Sequence, residues 1–103
     1  MDRRLQVLIF VVCHHAEDFI EGVLQRIPDA VWHSEDFDTQ VLIIDDGSAD
    51  RTFDRAVDFT QRHRDLRITV LHNPTNQGYG GNQKIGYHYA MQHGFDVVVL
   101  MHG

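Results

Sequence analysis

Near-continuous apolar runs alternate along this chain with stretches whose apolar positions recur at helical spacing. Leu5–Cys13 is the first run, rich in Val and Ile and unbroken rather than alternating with polar residues. Runs of that kind, bounded by turn residues, are strands buried on both faces of a parallel sheet. Ala16–Ile27 follows, with Ile20, Val23, Leu24 and Ile27 at i, i+3, i+4 and i+7, and this predicts a helix with one apolar stripe. Pro28-Asp29 ends it, because a residue ahead of proline is pushed out of helical geometry. Residues 29–39, with Trp32 and Phe37 among acids, read as a connector. The second strand is Gln40–Asp45. Ser48 or Asp50 then caps a helix over Arg51–Arg64 whose apolar face is Phe53, Ala56, Val57 and Thr60. A third strand, Arg67–His72, leads through a loop rich in glycine and side-chain amides to a helix over Gly81–His93. Gly94 closes that helix, and Phe95–Met101 is the fourth strand.

The order β-α-β-α-β-α-β with short connections predicts an α/β fold, a three-layer Rossmann-like parallel sheet of about four strands with right-handed crossovers. With 103 residues the chain has room for one small domain, residues 1–103. It stops directly after the fourth strand, at His102-Gly103, where a natural domain rarely ends without a covering helix. The expectation is therefore a piece of a larger protein. Its last strand leaves an open edge and an apolar face, which favours self-association through the sheet edge.

Composition narrows the function classes. A hydrophobic content of 43% with 23% charged residues fits a soluble globular domain. The net charge of −6 argues against a nucleic-acid partner, since phosphate binding needs clustered Lys and Arg. Here the densest basic group, Arg62, Arg64 and Arg67, is interleaved with Asp65. Cys13 is the lone cysteine, which excludes an internal disulfide and fits a reducing, cytoplasmic compartment. The Leu5–Cys13 run is too short to span a membrane, and Cys13-His14-His15-Ala16-Glu17 is a poor cleavage region for a signal peptide.

Candidate chemistry gathers at the strand ends. Ligands of open α/β sheets bind outside the carboxyl ends of the strands. Cys13-His14-His15, Asp45-Asp46-Gly47-Ser48, Asn73–Lys84 and His102-Gly103 should share one rim there. Gly78, Gly80 and Gly81 allow close backbone approach, helix N-terminal amides favour phosphate, and Lys84 adds a positive charge. Gln83 stands where the third glycine of a dinucleotide fingerprint belongs, and no Gly-Lys-Ser or Gly-Lys-Thr occurs. His14 and His15, adjacent in a strand, would point to opposite sides and so would not share a metal ion. Ser48 beside acids and Cys13 in a buried strand lack the setting of a nucleophile. By spacing alone, Asp45 starts a turn and Asp46 accepts hydrogen bonds from backbone amides, or the pair belongs to a ligand site.

Three segments together match a known family. Val41-Leu42-Ile43-Ile44-Asp45-Asp46-Gly47-Ser48-Ala49-Asp50-Arg51-Thr52 is close to a strand followed by Asp-Asp-Gly-Ser-x-Asp-x-Thr. Asn76-Gln77-Gly78-Tyr79-Gly80-Gly81-Asn82-Gln83-Lys84-Ile85-Gly86 looks like an Asn-x-Gly segment entering a helix, and Glu17–Asp29 is similar to the first helix. The chain resembles the N-terminal half of the family 2 glycosyltransferases, which have the GT-A fold and include dolichol-phosphate mannosyltransferase-like enzymes. The resemblance implies inverting transfer of a sugar from a UDP- or GDP-linked donor to an acceptor, as in cell-wall or polysaccharide biosynthesis. It implies Mg²⁺ or Mn²⁺ in a full-length parent working in the cytoplasm, at the inner membrane face. Asp46 would contact the donor base, and Asp45 would hold the loop in shape. With His14, His15, Gly78, Gly80, Gly81 and Lys84 they form the expected nucleotide-binding set.

The departures from that family shape the expectation further. Its usual Pro-Ala-Tyr-Asn-Glu after the first strand reads Val12-Cys13-His14-His15-Ala16 here, so His14 stands where an aromatic residue lies against the base. His102 takes the place of the first Asp of the metal motif, and the second would be residue 104. With the general base missing too, no catalytic residue and no metal ligand is expected within this sequence. The chain reads as the donor-binding part of a transferase and as inactive alone. The alternative is a non-catalytic nucleotide- or partner-binding module. A sugar-phosphate nucleotidyltransferase would need a basic, glycine-rich loop after the first strand, and Cys13–Glu17 is the opposite of that.

Overall fold

The computed structural model describes residues 4–102, the side chains of Tyr79 and His102 excepted. Its elements are β1 (Leu5–Cys13), α1 (Ile20–Gln25), α2 (Asp29–Trp32), β2 (Phe37–Asp46), α3 (Thr52–Arg62), β3 (Ile68–Asn73), α4 (Gly78–Gln92) and β4 (Val97–His102). The strands form a parallel sheet in the order β3-β2-β1-β4. β1 and β2 occupy the centre, as their unbroken apolar runs require. Leu8, Phe10, Val11, Leu42, Ile43 and Ile44 are each at most 1% exposed.

Strand alternation sorts the core into two layers. Val7, Ile9, Val11, Val41 and Ile43 face α1 and α3, with Val31 and Trp32 of α2 packed alongside. Leu8, Phe10, Leu42 and Ile44 face the other way, against Ile85, Tyr89 and Ala90 of α4. The predicted stripe of α1 is buried as expected, but regular helix covers only Ile20–Gln25. The preceding residues make turns, and the Ala16 N–H donates to Thr52 Oγ1 at 2.8 Å, so the chain is drawn toward the start of α3 before the helix begins.

Other features also differ from the sequence expectation. The connector holds a four-residue helix, α2, entered through Pro28 with φ −62°, and β2 starts at Phe37 rather than Gln40. Its added residues lie alongside β1, where Asp38 pairs with Arg4 at 3.2 Å and accepts from Gln6 Nε2 at 2.8 Å. In α3 the buried residues are Thr52, Ala56 and Phe59, with Phe53, Val57 and Thr60 only partly covered. The helix is rotated so that Phe59 reaches the core and Phe53 stacks on His72 of β3 at 5.3 Å. Arg62 ties it to α1 through Glu21 at 2.6 Å. Finally, α4 begins at Gly78 rather than Gly81, so much of the predicted glycine loop is helix. Gly94 ends α4 with φ +71°, as predicted.

Among the described residues β4 pairs only with β1 and is one edge of the sheet, β3 being the other. Val97 and Val99 stay 40% and 41% exposed there, which is the open apolar edge expected from the sequence.

At Gly86 α4 lies close against the sheet. A Cβ at that position would lie 2.6 Å from Phe10 Cε2 and 2.7 Å from Cδ2, inside a fully buried ring. Gly86→Ala is expected to lower stability by about 1–3 kcal/mol through overpacking. A thermal melt against wild type would measure this.

Candidate functional site

The carboxyl ends of β1, β2 and β3 meet where the sequence places its polar motifs. Asp45 and Asp46 are consecutive on β2, so the pleat sends them to opposite faces of the sheet. The repulsion expected of side-by-side carboxylates is relieved by that alternation. Asp45 faces the α3 layer and is fully buried. Its Oδ2 lies 2.8 Å from His72 Nδ1, and its Oδ1 accepts from the Ser48 N–H at 3.4 Å, closing the turn after β2. A buried carboxylate needs such partners, because desolvating an isolated charge is costly.

Asp46 faces the α4 layer and is 4% exposed. Its Oδ1 accepts from the Gln77 N–H at 2.7 Å and from Asn73 Nδ2 at 3.2 Å, and its Oδ2 accepts from the Gly78 N–H at 3.2 Å. The carboxylate therefore sits on the first amides of α4, where the helix dipole favours a negative charge. Asn73 also donates to Asn82 Oδ1 at 2.8 Å, and the fully buried Asn82 donates to Gly78 O at 2.8 Å. Burial pushes the Asp46 carboxyl up. The hydrogen bonds from Gln77, Asn73 and Gly78, together with the nearby Asn82 amide, outweigh it and hold the group below its ordinary value of 3.8.

Gly47 makes the approach of the two loops possible. It adopts φ +69°, and a Cβ there would meet Asn76 N at 3.0 Å and Thr75 C at 3.3 Å. At the end of β1, His14 Nδ1 lies 2.8 Å from Asp46 O. The strand stops at Cys13, and His15 takes φ +50°. The two imidazoles consequently lie side by side, ring centroids 3.9 Å apart, rather than on opposite sides as a continued strand would put them. The His15 N–H donates to Ser48 Oγ at 2.9 Å. Asp50 accepts from the N–H of Thr52 at 3.0 Å and from its hydroxyl. The Thr52 hydroxyl, with the Thr52 and Glu17 backbone and the charge of His15, lowers the Asp50 carboxyl against the opposing effect of desolvation.

Of the predicted set, His14, His15, Asp45, Asp46 and Gly78 are brought together at this rim. Gly80 and Gly81 form the first turn of α4, and Lys84 is exposed about 9 Å further along the helix axis than Gly78. His72, Asn73, Ser48 and Asn82 complete the network without having been singled out. Asn73 and His72 stand in register opposite Asp46 and Asp45, a pairing visible only once the strands are aligned. Cys13 is buried, and burial, followed by the charges of Asp45, Asp50 and Asp46, pushes its thiol up to about 12, so it is no nucleophile at neutral pH.

Cavities of about 320 Å³ and about 240 Å³ lie at the opposite end of the strands, around Trp32 and His33, and a shallow one of about 670 Å³ lies over the outer side of α3. None of them is lined by His14, Asp45 or Asp46. Among the described residues no group of three or more His, Cys, Asp or Glu is placed to hold a metal ion. The side chain of His102 and residue Gly103 lie outside the described residues. No helix of the described chain is long and apolar enough to cross a membrane.

A model of the family described as Glycosyl transferase family 2 matches residues 8–102. The chain belongs to that family. It is 33% identical over 97 residues to an undecaprenyl-phosphate mannosyltransferase of Micrococcus luteus, covering 94% of this chain and 37% of that protein. Its fold matches a mannosyltransferase, PcManGT, from Pyrobaculum calidifontis, solved in complex with GDP-Man and Mn²⁺. The TM-score is 0.69 at 21% identity, over 84% of this chain and 25% of the other. The four parallel strands of this family 2 domain are the N-terminal part of a GT-A fold. The domain spans well under half the length of either relative.

Asp46→Ala should cost about 1–3 kcal/mol, since it strips the acceptor from two backbone N–H groups and from Asn73. The folded carboxyl lies below 3.8, so its stabilising effect is complete above that value and is lost as pH falls through the folded one. In melts against pH, wild type should lose its advantage over Asp46→Asn in that acid range. A gap that stays constant would mean the carboxylate carries no such linkage.

Proposed function

We propose that this family 2 domain is the donor-binding part of an inverting glycosyltransferase, and that the donor is a nucleotide-diphospho-mannose of the GDP type. The acceptor would be a polyprenyl phosphate, used at the cytoplasmic face of the membrane in polysaccharide or cell-wall synthesis. One observation carries the assignment to donor recognition: Asp46, His14 and the first turn of α4 converge at the carboxyl ends of the central strands. The likeness to a polyprenyl-phosphate mannosyltransferase and to a fold solved with GDP-Man supports the choice of donor and acceptor class.

In this reading each group has a defined task. Asp46 offers its remaining acceptor capacity to a base N–H, and Asp45 with His72 keeps the Gly47-Ser48 turn in place. The His15 imidazole, tilted at 34° against that of His14, offers an aromatic face beside the base. Gly80 and Gly81 let the diphosphate approach α4, with Lys84 as a nearby positive charge. No group in this set deprotonates an acceptor, so the chain binds the donor without turning it over. A second reading, a nucleotide- or partner-binding module without chemistry, is favoured by the departure from the family pattern at His14-His15-Ala16 and at His102.

Calorimetric titration with GDP and UDP, with and without Mn²⁺, tests this. Metal-independent binding, weakened about tenfold or more by Asp46→Ala, is the expected outcome, because hydrogen bonds to a charged group contribute about 1.5–3 kcal/mol. Transfer of mannose by the isolated chain would overturn the inactive-alone assignment, and absence of any nucleotide binding would overturn the donor pocket itself. The open β4 edge is assigned to self-association, expected as a concentration-dependent sedimentation coefficient that Val99→Lys abolishes.

A further inference from the structure

We infer that His14 sets base specificity, its Nε2 accepting a hydrogen bond from the exocyclic amino group of a guanine-type base. This rests on the donor-pocket reading and adds to it the residue that chooses the base. His14 Nδ1 lies 2.8 Å from the backbone oxygen of Asp46. A carbonyl oxygen only accepts, so Nδ1 must carry the proton, and in the neutral ring Nε2 is left as a bare acceptor. Nothing among the described residues donates to that nitrogen, and the residue is exposed at the rim.

The ring is also held in place. His15 turns back at φ +50°, its N–H fixed on Ser48 Oγ, and its imidazole lies 3.9 Å from that of His14 at a tilt of 34°. Cys13 is the register partner of Asp45, so His14 continues the chain beside Asp46.

Counting acceptors then separates the bases. A carboxylate accepts about four hydrogen bonds. Asp46 has accepted three, from Gln77, Asn73 and Gly78, and two of those donors are fixed backbone groups. It has room for about one more donor. Guanine presents two neighbouring donors, N1–H and the 2-amino group, which call for one acceptor on Asp46 and a second beside it. The Nε2 of His14 is that second acceptor. Uracil presents one donor, N3–H, flanked by two carbonyl oxygens, so Nε2 would face an acceptor and be left unpaired.

The test is titration of the 103-residue chain with GDP, IDP and UDP at about pH 8, above the ordinary histidine range. IDP lacks only the 2-amino group. Wild type should bind GDP about tenfold more tightly than IDP, the effect of one well-formed hydrogen bond. His14→Asn keeps an N–H for Asp46 O but has no counterpart of Nε2, so it should bring GDP and IDP to parity. A GDP preference that survives His14→Asn, or equal binding of GDP and IDP by wild type, overturns the inference. Equal binding of all three nucleotides would leave the donor pocket standing and sink the base assignment alone. No binding of any nucleotide would sink both. Should His14→Asn fail to fold by circular dichroism, the wild-type comparison of GDP with IDP still decides.

Discussion

The tie between the Asp46 carboxylate and the first amides of α4 is the contact on which the rim depends. It joins the end of a central strand to a helix entered more than thirty residues later, and it fixes where Gln77 and Gly78 lie. Local sequence gives that helix little reason to begin there. Gly78, Gly80, Gly81 and Gly86 all lower helix propensity by about 1 kcal/mol each relative to alanine. A buried negative charge on the N-terminal amides offsets part of this. It also satisfies donors that would otherwise have no intrahelical partner.

Around that tie the other rim contacts fall into a chain of single hydrogen bonds between segments far apart in sequence. His14 meets the backbone of Asp46, His15 meets Ser48, and Ala16 meets Thr52, so the segment after β1 is laced onto the segment after β2 residue by residue. Asn73 and Asn82 do the same between the end of β3 and α4. Such a network rigidifies this surface.

The strands and their parallel arrangement were legible in the sequence because they depend on local pattern, whereas the order β3-β2-β1-β4 was not. β1 is bounded where its apolar run is bounded, and the α1 stripe is buried at each expected position. The misreadings share a cause, which is that a distant partner decides the matter. The spacing of α3 allows two overlapping apolar faces that share Ala56, and contact with His72 draws Phe53 away from the core. The start of α4 is set by Asp46, and the left-handed turn at His15 is held by Ser48, neither of which leaves a periodic trace. Similarly, the Asp45 and Asp46 pair announced itself by position, whereas its partners His72 and Asn73 emerged only from strand register.

The pleat that separates Asp45 from Asp46 makes the sheet a partition between two circuits. One carboxylate serves His72 and the turn on the α3 side, and the other serves α4. Inserting or deleting one residue within β2 would exchange their sides, placing each acid before the other's donors and turning the apolar set of the strand inside out. The spacing between the apolar run and its two acids is therefore less tolerant of insertions than of substitutions. A lineage could vary the side chains of this strand far more freely than its length.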